Sequence, residues 1–506
     1  MDLKKLIQAS GLSISPGSLR FRRRLVTAAA FVAFAVAAFL LYLRTHSLLV
    51  FGCLPGAALV GAAYPVVWLR SAASTRARMG ERELPFVSTL LAIAANHSPP
   101  SRTLMTTGAM PSMSWTQREY AALVKISKIM RSTLGQAAYE LSTVHPSQRF
   151  SALLRSVSAA ERGLGDPYYT MRDSSRAELS ALKQEAELSS EKLGVASSTV
   201  LVAFAVAPLS ILVFAAITSQ SFFVYFGSLL SLPSAVLVDI MVTRAYPETL
   251  RPCVRLPGYW FLVASIGSGL AAIFVPLPLS VPFYMRLGGA LVFGSLVAGL
   301  SSISQERAHA TLLKNLPALS RDFAEEAKKG VPPSAAIPRL KASLKYPAIL
   351  FSTLSGHAPK PYLAQAYLDL AKESERLGAD TESLEAVSDA VNTVASIHSS
   401  YLSKASFFRM TAFASAAILA SSSAIVLHTF SSLSSHASGG YLPPSLVFVS
   451  FNPAIAPVVF AAVVLNSYLL GVLAGKALRG SLLYGLRDGA LGALLAMVII
   501  SVGMVL

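Results

Sequence analysis

The sequence predicts an all-α fold: a polytopic membrane protein with about nine transmembrane helices and two repeated cytoplasmic helical-bundle domains. Three observations carry that prediction. Apolar runs long enough to cross a bilayer, roughly 17–25 residues, recur along the chain. Of its 43 Lys and Arg, only Arg44 and Arg286 fall on one side when the runs are traced alternately in and out. Two long polar inserts interrupt the runs and share an ordered set of short motifs.

Composition agrees. The chain is 53% hydrophobic and 14% charged, where a soluble domain averages about 25% charged. Its net charge of +17 is unevenly spread: the tail Met1–Arg24 has six basic residues against Asp2, while the inserts carry 16 against 11 and 12 against 11. The excess therefore lies in short stretches beside the spans. Topology and anionic headgroups account for it better than a nucleic-acid groove. The two cysteines, Cys53 and Cys253, fall in different elements and offer neither a disulfide framework nor a metal cluster.

Residues 1–69 read as a basic tail and a membrane hairpin, Leu25–Leu43 and Leu48–Leu69. The first run exceeds a signal-peptide core and ends Tyr42-Leu43-Arg44 without a small-residue cleavage site, so it is expected to stay. Arg20, Arg22, Arg23 and Arg24 precede it and hold the N-terminus inside. Residues 70–195 form the first polar domain. Four spans follow in 196–303: Ser197–Ile217, Phe222–Val242, Tyr259–Val275 and Leu287–Ile303. Residues 304–406 form the second polar domain, and 407–506 hold Met410–Leu427, Ala454–Leu473 and Ala490–Leu506. This trace makes both domains cytoplasmic and the C-terminus external, in a cell membrane. Asp239 and Arg409, at inner ends of spans, are expected to snorkel to the headgroups. Gly52-x-x-x-Gly56 and Gly471-x-x-x-Gly475 read either as close helix contacts or as ordinary membrane glycines.

The inserts read as copies. Leu84-Pro85 and Leu316-Pro317 open them, Pro99-Pro100-Ser101 and Pro332-Pro333-Ser334 follow, and Glu161-Arg162 through Asp166 faces Glu375-Arg376 through Asp380. Pro85 and Pro317 suit a first helical turn, where a missing N–H costs nothing. Leu84, Val87, Leu91 and Ala94 share a helix face, as do Leu316, Leu319, Phe323 and Ala327. Gly163-Leu164-Gly165 reads as a helix stop and Asp166-Pro167 as the next start; Asp380 is expected to cap the matching helix.

No catalytic constellation is present: no phosphate-binding Gly-rich loop with Lys-Ser/Thr, no His-Glu-x-x-His, no Cys-x-x-Cys. His97, His145, His309, His357 and His398 are scattered without ligand spacing. Neither enzyme activity nor a cofactor is expected. Two sets of cations flank the inner ends of spans: Arg244, Arg251 and Arg255, and Lys476, Arg479 and Arg487. Sidedness alone would place them there, or they mark a partner surface.

The Leu-Pro openings, the Pro-Pro-Ser turns and the paired Glu-Arg…Asp junctions resemble the type II secretion F family, the assembly-platform membrane proteins of type IV pili. The resemblance covers roughly Glu83–Ile211 and Asn315–Ile425, and the span arrangement is similar to archaeal platforms, including those of the archaellum. It implies a cytoplasmic hexameric secretion ATPase and pilin-like subunits as partners, and it gives the two cation sets an ATPase to contact. A homodimer is expected beneath a hexameric ring by symmetry preference. The competing reading is a secondary transporter built on an internal repeat. It is weakened because both copies run in the same direction and the spans lack a midplane charge pair.

Overall fold

The computed structural model describes residues 54–218, 234–246, 282–300, 303–343, 345–347, 362–378, 381–438 and 456–503, with Ala28 and Phe351. Among these residues the regular structure is entirely helical. Four helices are long and apolar enough to cross a membrane, Pro167–Ile211, Leu384–Ser432, Ala456–Arg479 and Leu482–Gly503, and Phe283–Gly299 is a shorter apolar helix. The expected span Leu25–Leu43 apart from Ala28, the span Tyr259–Val275, most of Phe222–Val242 and the Gly52 motif lie outside the described residues or their side chains. The chain divides into two compact units: Met1–Leu179 with Asp369–Val387, and Ser180–Leu368 with Ser388–Leu506.

The first unit is built on one long helix. α1 (Leu54–Ala94) runs through Leu84-Pro85 without a break. The first-turn expectation for Pro85 is therefore corrected, because helix begins well ahead of it, at Leu54. The hydroxyls of Ser88 and Thr89 donate to the Pro85 carbonyl at 3.1 and 2.7 Å. The expected apolar face holds: Leu84, Val87, Leu91 and Ala94 are all buried. Pro99, extended at φ −62°, ψ 143°, starts α2 (Pro100–Gly108). α3 (Ser114–Met130) follows, then α4 (Leu134–Val144) and α5 (Gln148–Glu161), whose N-termini are capped by the Thr133 and Ser147 hydroxyls. α5 stops at a glycine in the left-handed region (Gly163, φ +72°), where Leu164 N–H bonds back to the Ala159 carbonyl at 3.0 Å. Asp166 Oδ1 then accepts from Tyr168 N–H at 2.9 Å and α6 starts at Pro167, as the stop–start reading expects. α6 runs Pro167–Leu201, belonging to the second unit from Ser180 on, widens into a π-helical turn at Val202–Val206 and continues as Ala207–Thr218. Pro208 supplies the reason for that turn: it has no N–H to give and its ring crowds the carbonyl four residues back.

In the second unit α7 (Phe283–Leu300) leads to α8 (Ile303–Lys328), which carries Pro317 in its interior. The same correction applies to Pro317 and for the same reason. Leu316, Leu319 and Phe323 are buried and Ala327 only partly so. Gly330 (φ +77°) ends α8, and Pro332, extended at φ −65°, ψ 148°, starts α9 (Pro333–Ala342). α10 (Tyr362–Arg376) ends before Gly378 (φ +67°), and the stretch Asp369–Val387, with the end of α10 and the start of the next helix, belongs to the first unit. α11 (Thr381–Ser438) is 58 residues long, about 87 Å at 1.5 Å per residue. α12 (Ala456–Arg479) and α13 (Leu482–Gly503) form a hairpin that packs with α7 and α11 around Leu419, Phe460, Val464, Ala493 and Ile500.

The two inserts share one detail of packing. Thr89 Oγ1, already bonded to the Pro85 carbonyl, lies 3.4 Å from Ser175 Oγ on α6. Ser320 Oγ, bonded to the Pro317 carbonyl at 2.8 Å, lies 3.2 Å from Ser388 Oγ on α11.

Candidate functional site: an ion-pair cluster at the α12–α13 turn

α12 and α13 approach each other through glycines. A Cβ on Gly471 would overlap the Asp488 carbonyl, one on Gly485 the Val472 carbonyl, and one on Gly492 the Ser467 carbonyl. The Gly471-x-x-x-Gly475 reading as a close contact is therefore met, with Gly475 seated against Gly485. A short turn with Gly480 at φ +74° joins the helices, and Ser481 Oγ accepts from Leu483 N–H at 3.3 Å.

That close approach brings opposite charges together. Arg479 Nε lies 2.7 Å from Glu306 Oε1, and its Nη1 lies 3.0 Å from Asp488 Oδ2 and 2.8 Å from the Tyr484 carbonyl. Arg487 Nη1 takes the other Glu306 oxygen at 2.9 Å. Arg409 Nη2 takes the other Asp488 oxygen at 2.8 Å. Beside them, Lys476 Nζ meets Asp239 Oδ1 at 2.5 Å and Thr243 Oγ1 at 2.6 Å. The Asp488 side chain is 1% exposed, Lys476 12% and Arg479 15%. Four cations thus meet three carboxylates, so the cluster is close to neutral and can enter a low-dielectric setting. Tyr401 adds a hydrogen bond from its OH to the Ala477 carbonyl at 2.9 Å, with Tyr246 edge-on at 5.2 Å.

This geometry changes the reading of the basic residues. Lys476, Arg479 and Arg487 are not open cations: Asp239, Glu306 and Asp488 already engage them. Asp239 and Arg409 are paired within the protein rather than left to the headgroups. Arg244 is exposed on the helical stretch 234–245, and Arg251 and Arg255 lie outside the described residues. The sequence reading passed over Glu306 and Asp488. Their signal was scarcity, since Asp239, Glu248, Glu306 and Asp488 are the only acids in residues 196–306 and 407–506.

The cluster is suited to joining helices, not to bond chemistry. Glu306 opens α8 and Arg409 and Tyr401 lie on α11, the helices that enter and leave the second insert. Both are fixed to the same turn between α12 and α13.

The repeat-motif residues have local tasks. Glu161 Oε1 accepts from Ser101 N–H at 2.9 Å and so caps α2 from across the bundle. The Arg162 guanidinium lies over the Tyr139 ring at 5.4 Å. Glu375 and Arg376 end α10, with Arg376 Nη1 3.8 Å from Glu373, and Asp380 lies outside the described residues. Two buried acids lock α3 to α1. Glu83 accepts from Trp115 N–H and Thr116 N–H at 3.0 and 2.8 Å, and burial pushes its carboxyl above the ordinary value. Glu119 is also buried, but the Arg76 guanidinium at 2.7 and 2.5 Å and His145 at 3.6 Å outweigh burial and hold it below the ordinary value. The chain matches no protein-family model, and no curated protein or solved structure is significantly similar to it.

Proposed function

We propose that the chain is the membrane-embedded assembly platform of a type IV pilus-like machine, an archaeal pilus or archaellum. It couples a cytoplasmic hexameric secretion ATPase to the extraction of pilin-like subunits from the bilayer. The two inserts are duplicated cytoplasmic bundles, and the working unit is a homodimer with the bundles on the ATPase side. The observation that carries this reading is continuity. α6 passes from the first insert into an apolar stretch of membrane length, and α11 does the same from the second, each without a linker. A rigid helix shared by a water-soluble bundle and the bilayer transmits displacement, which a soluble motor needs if it is to move a membrane-bound subunit.

The test is an uncoupling insertion. Four glycine or serine residues placed between Ser399 and Ser400 leave both halves of α11 intact but break their rigidity. Filaments should disappear while the ATPase still co-purifies with the full-length protein. Normal filaments in a strain deleted for the gene would end the proposal. Filament loss accompanied by substrate-dependent solute flux in proteoliposomes would favour the transporter reading instead.

A further inference from the structure

One end of the first helical bundle is built as an exposed cationic and apolar surface. Three contacts locate it. Gly135 packs against Glu161, Glu161 bonds Ser101 N–H, and Ser101 follows the C-terminal end of α1 by one short turn. The α3–α4 turn and the α5–α6 junction therefore gather where α1 ends. Ile129 is 72% exposed there, Leu164 67% and Met130 49%. Lys125, Lys128 and Arg131 are exposed beside them and have no acidic partner among the described residues. The acids nearby are occupied: Glu161 caps α2 and Asp166 caps α6.

Local stability accounts for only part of this. A cation in the last turn of α3 suits the helix dipole, which explains Lys128. It does not explain Arg131, which sits in the left-handed region at φ 51°, ψ 40° where Gly or Asn is usual. That conformation costs about 1 kcal/mol or more for a side chain of this kind. The turn is also held rigid, by Ser127 Oγ donating to the Ser132 carbonyl at 2.6 Å and Ser132 N–H bonding back to the Ser127 carbonyl at 3.1 Å.

We propose that this end of the bundle docks an acidic protein face that also offers an apolar recess for Ile129 and Met130. A lipid surface is too far away. If α1 leaves the bilayer near Leu69, as its sequence predicts, Ala94 lies roughly 37 Å further along the helix, several Debye lengths from the headgroups. A nucleic-acid backbone would match the cations but gives exposed Ile, Leu and Met nothing to pack on. The inference rests on the platform reading, in which the acidic partner is the secretion ATPase.

The experiment uses full-length protein in nanodiscs of neutral lipid, with the purified secretion ATPase of the same organism as probe. Lys128→Glu with Arg131→Glu should weaken binding by about tenfold or more, and Ile129→Ser alone by a few-fold. The control reversal Lys183→Glu should stay within about twofold. If the double reversal and Ile129→Ser both bind like wild type, the docking surface is wrong while the platform reading stands. If wild type itself does not bind the ATPase, both fall together. Two further results overturn the assignment: a single-stranded DNA oligonucleotide that responds to the same reversals when the ATPase does not, or a change in oligomeric state that makes a second copy the occupant.

Discussion

Replacing Asp488 by Asn isolates the ion-pair cluster from everything else in the hairpin. The side chain keeps its shape, while the charge at the centre of the cluster is lost and one acceptor oxygen becomes an amide donor facing a guanidinium. Asp488 is 1% exposed and accepts from Arg409 at 2.8 Å and Arg479 at 3.0 Å. Removing one partner of a buried pair costs about 3–5 kcal/mol, because the other charge is left uncompensated. Two features reduce that figure here. Arg409 is 35% exposed and can turn outward, and Arg479 keeps Glu306 and the Tyr484 carbonyl. The expected loss is about 2–3 kcal/mol. Asp239→Asn breaks a pair whose carboxylate is 33% exposed, so about 1 kcal/mol or less is expected. Thermal unfolding of the purified full-length chain reads both. A double-mutant cycle of Asp488→Asn with Arg409→Ala should give a coupling of about 1–3 kcal/mol. Zero coupling, or equal losses for the Asp488 and Asp239 variants, would refute the argument that burial sets the ranking.

Four further outcomes are expected. Gly471→Ala should destabilise the α12–α13 hairpin by about 1–3 kcal/mol, because its Cβ would overlap the Asp488 carbonyl. Gly289→Ala, which meets nothing within 4 Å, should be neutral or slightly stabilising in the same unfolding assay. Glu119 has a folded pKa below its ordinary value of 4.5, so its contribution is present above that pH and is lost as pH falls through the folded value. Glu119→Gln should therefore lower stability at neutral pH and flatten the acid limb of a tryptophan-fluorescence titration, and an unchanged acid limb would count against the Arg76–Glu119 pair. Gly80→Ala puts a Cβ against the Trp115 ring, 2.5 Å from its nearest atom. Trp115 emission should shift and the first bundle should lose about 1–3 kcal/mol, and unchanged emission would mean the helices separate more easily than their packing implies.

The sequence revealed much of the fold, and the limits were physical. Asp166-Pro167 and Gly163 were legible because caps and left-handed glycines act within a few residues of themselves. The apolar faces at Leu84, Val87, Leu91 and Ala94 were legible because helix period maps position onto burial. Pro85 and Pro317 misled because their local preference for a first turn was overridden by helix already established on their N-terminal side. The ion-pair cluster was hidden for another reason. Glu306, Arg409 and Asp488 are separated by some eighty to a hundred residues in sequence, and only the glycine seam brings their helices close enough to touch. Charge counts led to an expected side of the membrane for Lys476, Arg479 and Arg487, but could not say that their charges were already matched.

The prolines carry the comparison between the inserts further than the motifs do. Proline inside a helix costs about 3 kcal/mol because it leaves the carbonyl four residues back without its hydrogen bond, which a hydroxyl on the proline's own carbonyl does not restore. Among the helix-interior prolines, which also include Pro65 and Pro338, Pro85 in α1 and Pro317 in α8 share one feature: a hydroxyl three or four residues on bonds the proline's own carbonyl. That same hydroxyl meets a serine on the long helix that follows the Glu-Arg junction, Ser175 in one insert and Ser388 in the other. A shared run of Leu-Pro could arise from composition alone. In each insert the proline carbonyl, a nearby hydroxyl and a serine across the bundle make a similar arrangement, with the hydroxyl four residues on in one and three in the other, and it lies where each bundle joins a helix that runs on into a long apolar stretch. Two similar joints, each placed where a helical bundle passes into a helix of membrane length, are what the proposed reading of the inserts as paired levers expects.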